Sequence, residues 1–572
     1  MQFEIKRTDL AARIGRMQTG HGTVETPAYV PVIHPAKQTI PASRIKEMGF
    51  DIVITNAYIT RNTYGHDEAV RRGIHDIIKY DGAIMTDSGG YQVLEYGKVG
   101  VTPPEMAEFE RGIRTDFAIP LDKPTGFGMR RDAAEAYVRD TLRVSREALR
   151  AAESAGNGSG GDGDGGQTWI GPIQGGEHRD LVARSAKSLV RMGFEMLALG
   201  SPVEFMESYE YRLLAEMIAT AKRSMPHGIP LHLFGAGHPL TIPLAVALGC
   251  DTFDSASYIL YARQDRYMTE DGTRTLDEIE YFPCCCAVCS RYEPGELRLM
   301  PREQKVNNIA VHNLYAIKLE VDRTKQAVAE GRLWEYVMKK SRAHPRLYEA
   351  VTHLMTPSSS SLPLSSSSSS PSSSSTSTSS QPSPSTPAPP PDISGMFRAG
   401  TPQYKQKAAF LYGAEDQHRP EVAAYHDIVR KFRTRKSIVA ITPESHTKPG
   451  YMSREYRELY KRRGDDDDVQ FCQYSPILGI IPIEVSDIYP AAHHEQARVR
   501  VDPAACTEFA KTWDAFFENN GFAEVWYDKN DAFLGHFAKR LKGVKKHNLR
   551  GAATAAARRT DTAPRGTTVQ SK

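Results

Sequence analysis

Two aspartates in this sequence stand where a reacting group could reach them. Asp87 lies in TDSGGYQ and Asp254 in DTFDSASY, each at the end of a short apolar run and beside small residues that let a substrate come close. A carboxylate pair of this kind suits substitution at the anomeric carbon of a sugar, one member acting as nucleophile and the other as acid and base. An aspartate after a strand can also simply cap the next helix. The two glycines after Asp87 and the Ser-Ala-Ser run around Asp254 favour the chemical reading. Asp122, in PLDKPT, fits turn chemistry as well as a site, because Asp closely followed by Pro is a common turn pair.

A second constellation is Cys284-x-Cys286-x-x-Cys289, followed by His312 in VHNLY, where a helix would offer an imidazole. Three thiolates and one histidine suit a closed tetrahedral zinc site with no position left for water, which makes the metal structural. Cys285 is the spacer in this parsing, although spacing alone leaves other combinations of Cys284, Cys285 and Cys286 open. Seven cysteines in 572 residues do not make a disulfide framework, and their clustering suits metal binding in a reducing compartment. His232 and His238 flank LFGAG, and a histidine beside an apolar strand more often bonds within the core than binds a ligand.

The elements that must position these residues are legible as alternation. The runs AYVPVI, DIVITN, AIMTDSGG, FAIPLD, WIGPIQGG, MLALGS, LHLFGAG and CDTFDSAS are separated by helix-patterned stretches such as Arg131–Glu153 and Met206–Arg223. Such alternation is the signature of a parallel sheet. Eight units without a nucleotide-type glycine fingerprint fit an α/β fold of the (β/α)8 TIM-like barrel type better than an open doubly wound sheet. In a barrel the residues ending these runs, Asp87, Asp122, Gln174, Gly200, Ser201, Gly235, Gly237 and Asp254, converge on one mouth, the face where barrel active sites form.

Composition supplies the boundaries. The segment Pro357–Pro391 is almost entirely Ser, Pro and Thr without a charge or an aromatic ring, so it cannot bury enough apolar surface to order itself. Domains are therefore expected at 1–355, with an inserted zinc region at about 277–345, and at 393–548, a smaller α+β domain; 356–392 is a linker and 549–572 a basic tail. The stretch Gly156–Gly166 reads as a surface-loop insertion. Lys and Arg number 72 against 69 acids, so global charge gives no signal for nucleic acid and only local patches could. The tail from Lys539 to Lys572, with Asp561 its single acid, is one such patch. SREYRELYKRR, with Arg454, Arg457, Lys461, Arg462 and Arg463 among Tyr456 and Tyr460, is either another or a charged helix face. The run Asp465–Asp468 reads as a solvated loop. The charged start MQFEIKRTDLAARIGRM and the lack of a long apolar run lead to the expectation of a cytoplasmic protein without a membrane span.

TDSGGYQ, FGAGHP, DTFDSASY and FPCCCAVC with its downstream HNLY closely resemble the tRNA-guanine transglycosylases, specifically the archaeal archaeosine-type branch, from about Phe3 to His353. The blocks AAFLYGAEDQHRPEV and PIEVSDIYPAAHHE resemble the first carboxyl-terminal domain of that branch. The resemblance implies a (β/α)8 barrel with one structural Zn2+ on Cys284, Cys286, Cys289 and His312, and a base exchange in tRNA without strand cleavage. It implies that Asp254 attacks C1′ and that Asp87 is the general acid and base. Ser88, Asp122, Gln174, Gly200 and Ser201 would bind the base, with Tyr91 stacking on its face. The substrates implied are tRNA, its D-loop guanine at position fifteen, and 7-cyano-7-deazaguanine as incoming base; a homodimer is implied as well. Members of the branch usually end in a compact RNA-binding PUA domain, and no matching glycine-rich β pattern follows Trp513–Lys546, which leaves two expectations: the basic tail partly substitutes for it, or a separate PUA-domain chain is a further partner.

Two other readings compete. A queuosine-type enzyme acting on the anticodon wobble guanine would be expected to end soon after the zinc region. A non-catalytic tRNA-binding paralogue would be expected to lack a carboxylate or a cysteine, whereas Asp87, Asp254 and all four ligand candidates are present.

Overall fold

The computed structural model describes residues 1–90, 101–156, 166–200, 202–355, 392–463, 468–497, 502 and 507–549. Eight short strands, Ala28–Pro31, Ile52–Asn56, Ala83–Asp87, Phe117–Ile119, Thr168–Ile173, Met196–Leu199, Leu231–Leu233 and Thr252–Ser255, fall on the eight apolar runs. Each pairs in parallel with its neighbours in chain order, and the eighth pairs with the first. The first strand reaches the second through the Val32–Ile54 bridge, with Ile33 N donating to Ile54 O at 2.8 Å. The sheet therefore closes into the expected (β/α)8 barrel.

Side-chain parity fixes what enters the barrel. Val30, Ile52, Ile54, Ala83, Met85, Phe117, Ile119, Ile170, Met196 and Ala198 form one buried cluster inside it. The intervening Val53, Ile84 and Leu197 are equally buried, beneath the helices. Burial on both faces explains why these strands read as continuous apolar runs rather than as alternating ones. Because successive side chains alternate, the inward series continues to Asn56, Asp87, Gln174 and Gly200 at the carboxyl ends.

Three antiparallel strands precede the barrel: Gln2–Asp9, Ala12–Thr19 and Gly22–Thr26. Met17 and Val24 from this sheet join the interior cluster, so it closes the end of the barrel away from the mouth. After the eighth strand come a hairpin, Arg266–Thr269 with Gly272–Thr275, the cysteine loop, and the helix Arg302–Glu330 that carries His312.

The described residues divide into two compact units, the first made of those within Met1–Arg7, Ala11–Gln326 and Tyr336–Met396, the second of those within Thr8–Leu10, Ala327–Glu335 and Phe397–Lys572. The second has a five-stranded sheet of Gly479–Pro482, Val469–Ser475, Ile438–Pro443, Glu524–Tyr527 and Lys545–Asn548, packed on a core containing Phe509, Trp513, Phe516 and Phe537. SREYRELYKRR forms the helix Arg454–Arg463, and its Tyr456 and Tyr460 lie against Phe471, with ring centroids 5.6 Å and 6.2 Å away. Tyr456 is thus half-buried in packing, whereas Tyr460 stays 44% exposed. Tyr91, Ser201, 157–165 of the glycine-rich insertion, 356–391 of the linker, Asp465, Asp466, Asp467 and 550–572 of the tail lie outside the described residues. Among the described residues no helix is long and apolar enough to cross a membrane.

Candidate active site and candidate metal centre

Asp87 ends the third barrel strand and Asp254 stands in the eighth. Asn56, ending the second strand and paired in register with Asp87, holds it: Asn56 Nδ2 donates to Asp87 Oδ2 at 3.1 Å. The same Asn56 caps the next helix, its Oδ1 accepting from Ile59 N at 2.8 Å, so the amide is oriented by a structural bond. Gly89 N donates to Asp87 Oδ1 at 3.2 Å. Burial, with the Asp254 charge adding to it, outweighs these bonds and pushes the Asp87 carboxyl up to about 6.

Asp254 is held differently. His232, fully buried in the seventh strand, places Nε2 3.1 Å from Asp254 Oδ1, and Gly235 N donates to the same oxygen at 3.0 Å. His232 Nδ1 lies 2.9 Å from Thr252 Oγ1. A carboxylate can only accept, so Nε2 carries the hydrogen and Nδ1 faces the threonine hydroxyl. His232 is thus a hydrogen-bonded core histidine, as expected, and the group it bonds is one of the two candidate catalytic carboxylates. His238 is also bonded internally, with Nε2 2.8 Å from Thr273 Oγ1, and burial lowers its pKa to about 4.

Asp122 and Gln174 form the third part of the mouth. Gln174 Oε1 accepts from Thr125 N at 2.9 Å and Thr125 Oγ1 at 3.0 Å, which fixes the flip of the amide. Its Nε2 therefore points at Asp122 Oδ2, 2.5 Å away. Burial, reinforced by the Asp87 charge, raises the Asp122 carboxyl to about 7. Two glycines make room for this pair. A Cβ at Gly90 would come within 2.1 Å of Asp122 Oδ1, and one at Gly200 within 2.2 Å of Gln174 Nε2. The Gly200 N–H itself is committed to Ile173 O at 2.9 Å.

Ser88 falls on the other side of the wall. One residue beyond Asp87, parity turns it outward, and its hydroxyl lies 2.8 Å from Glu110 Oε2 and 2.5 Å from Ile119 O. Glu110, on the helix Pro103–Gly112, also accepts from Thr86 Oγ1 at 2.9 Å, and burial raises its pKa well above the ordinary carboxyl value. Asn56, Thr125, His232 and Glu110 were not singled out as site residues from the sequence. Inward parity could have found Asn56 and His232, and nothing local marks the other two.

The ligand atoms of Cys284, Cys286, Cys289 and His312 all lie within 4.8 Å of one another, and Cys285 is not among them. Cys286 Sγ is 3.6 Å from Cys289 Sγ, and His312 Nδ1 is 3.5 Å and 3.4 Å from those two sulfurs. A tetrahedral ion with zinc's bond lengths has edges of about 3.5–3.8 Å between such donors, so this group can hold a metal. His312 Nε2 lies 2.8 Å from Met268 O, which fixes the tautomer that leaves Nδ1 as the donor atom. Tyr267 stacks on the imidazole at 3.5 Å and places its hydroxyl 3.1 Å from Cys289 Sγ.

A family model described as queuine tRNA-ribosyltransferase matches residues 9–346. The chain is 48% identical over 344 residues to the tRNA-guanine(15) transglycosylase of Aeropyrum pernix, an alignment covering 60% of this chain and 65% of that protein. It is 37% identical over 490 residues to the protein of that name from Sulfolobus acidocaldarius, covering 85% and 87%. Against the one from Saccharolobus solfataricus it is 35% identical over 530 residues, covering 91% and 96%. The chain thus spans just under two thirds of the first relative's length and most of the other two.

Proposed function

The chain belongs to the queuine tRNA-ribosyltransferase family, and from that premise we propose that it exchanges the D-loop guanine at position fifteen of tRNA for 7-cyano-7-deazaguanine. Two inward-facing carboxylates at the carboxyl ends of the third and eighth strands, with separate supports and a glycine-cleared Asp122–Gln174 pair at the same mouth, carry this reading. Similarity to proteins named for guanine fifteen that continues over 490 and 530 residues, well past the barrel, favours this substrate over the wobble guanine.

In the proposed reaction the Asp254 carboxylate, aligned by His232 and the Gly235 amide, attacks C1′ of the target nucleotide. The bond from C1′ to N9 breaks, and the departing guanine takes a proton from Asp87, whose raised pKa suits an acid near neutral pH. The incoming base then gives its N9 proton to the Asp87 carboxylate, N9 bonds to C1′, and Asp254 is released. Asp122 as carboxylate would accept from the N–H groups of the base, while Gln174 Nε2 would donate to its carbonyl oxygen. The target must leave the stack to enter the barrel mouth, at a cost of a few kcal/mol that RNA contacts elsewhere must offset. The Cys284, Cys286, Cys289 and His312 group would hold one zinc ion, whose part is to tie the cysteine loop to the helix Arg302–Glu330.

The test is exchange of labelled 7-cyano-7-deazaguanine, and separately of labelled guanine, into an unmodified archaeal tRNA transcript. Incorporation at guanine fifteen, lost in Asp254→Asn and Asp87→Asn, is expected. Incorporation at the wobble position instead would overturn the assignment of branch.

A further inference from the structure

At the end of the barrel away from the mouth, two histidines converge on one carboxylate. Asp116 immediately precedes the fourth strand, His75 lies in the short helix Ile74–Ile78, and His21 sits in the turn between Ala12–Thr19 and Gly22–Thr26. His21 Nδ1 is 2.9 Å from Asp116 Oδ1, and His75 Nε2 is 3.2 Å from Asp116 Oδ2. The donor atoms of all three lie within 4.8 Å of one another. We propose that His21, His75 and Asp116 form a second metal site, for a divalent ion of the zinc class, which pins the amino-terminal hairpin to the barrel.

Three features of the group call for an ion. The Asp116 carboxylate is only 4% exposed, and its described ion pairs are both to histidine. The two imidazoles stack face to face, with centroids 3.5 Å apart and planes 22° apart, which brings a nitrogen of each ring to the same carboxylate. Although close to the carboxylate, His75 Nε2 is not aimed to bond with it, and it is a buried nitrogen with no hydrogen-bond partner. An orphaned donor atom of that kind is rare unless a ligand completes it.

Two imidazoles and a carboxylate favour zinc and its transition-metal neighbours over magnesium or calcium, which take oxygen. With three protein ligands a fourth position stays open for water, and Asp116 also borders a cavity of about 260 Å³ shared with Gln2, Gln18, Thr19 and Thr168. Coordination requires the stacked rings to fan apart at their nitrogen edges. His21, 42% exposed on its hairpin turn, has the freedom to move. Asp116 itself is fixed, because its Oδ2 also accepts from Ile84 N at 2.9 Å.

The site is separate from the base-exchange reading, and so is its test. Full-length protein already saturated with zinc at the cysteine group is titrated with Zn2+ by calorimetry, and with Co2+ by absorption spectroscopy. The wild type should take up about one further equivalent, with weak visible cobalt bands and none of the strong near-ultraviolet absorption of thiolate coordination. His21→Ala, a change at an exposed turn that should leave the fold intact, should weaken this uptake by about 10- to 100-fold, and so should His75→Ala. Added zinc should raise the Tm of the wild type more than that of His21→Ala. No further equivalent in the wild type, or equal uptake by wild type and both variants, would overturn the proposal.

Discussion

His232 and Asp254 are bonded inside the barrel, His232 Nε2 lying 3.1 Å from Asp254 Oδ1 in a position closed to solvent on the histidine side. The bond fixes which carboxylate oxygen is held and leaves the other for the reacting carbon. Removing it should therefore slow chemistry more than binding. His232→Gln, which can keep a donor, should retain more activity than His232→Ala, which should lower kcat by about 10- to 100-fold, the range expected for a hydrogen bond to a charged group. The check is a kcat against KM comparison in steady-state exchange, alongside Tm to account for lost packing. Equal kcat in all three proteins would show that the bond is only structural.

Two carboxyls at the mouth should shape the pH dependence in opposite senses. Asp87, raised to about 6, is in its acid form at low pH and loses it as pH rises through that value. Asp122, raised to about 7, gains the carboxylate needed to accept from the base only as pH rises through that value. The form with Asp87 protonated and Asp122 ionised is most populated between the two. A bell-shaped kcat/KM profile with its maximum between these values is expected. A profile still rising above about pH 8 would contradict the assigned roles.

Gly200 tests the base pocket without touching a reacting group. A methyl there would sit 2.2 Å from Gln174 Nε2 and must displace the amide from Asp122. Gly200→Ala should keep its fold, because the clash is with a side-chain end. It should raise KM for the incoming base by about 10-fold or more, one lost charge-assisted hydrogen bond. An unchanged KM would place base recognition elsewhere.

The metal group makes a prediction about folding. Cys286→Ala should lose about one equivalent of metal per chain and lower the Tm, because binding to a closed site contributes directly to folding. Metal analysis and thermal melts on the same sample check it. Retained metal and an unchanged Tm would defeat the structural assignment.

The eight barrel strands were legible because both faces are buried, which writes each strand as an unbroken apolar run between polar helices. Asp87, Asp254, Asp122 and Gln174 were legible for the same reason, as the polar residues ending those runs. The supports were not. Asn56 meets Asp87, and His232 meets Asp254, only through the register between neighbouring strands, which no single run encodes. Ser88 shows the reverse, since the family resemblance implied a base contact, while the two-residue period of the strand sends its hydroxyl to Glu110. The His21, His75 and Asp116 group draws one residue each from a hairpin turn, a short helix and a strand start, with no common spacing to reveal it.

The division of labour between Asp254 and Asp87 is tested most directly by trapping the covalent intermediate. Enzyme and tRNA transcript are mixed without incoming base, denatured rapidly and digested, and the RNA-linked peptide is sequenced by mass spectrometry. The linkage is expected on Asp254, absent in Asp254→Asn, and formed more slowly in Asp87→Asn, where no acid assists departure of guanine. A linkage on Asp87, or exchange with no linkage at all, would contradict the account.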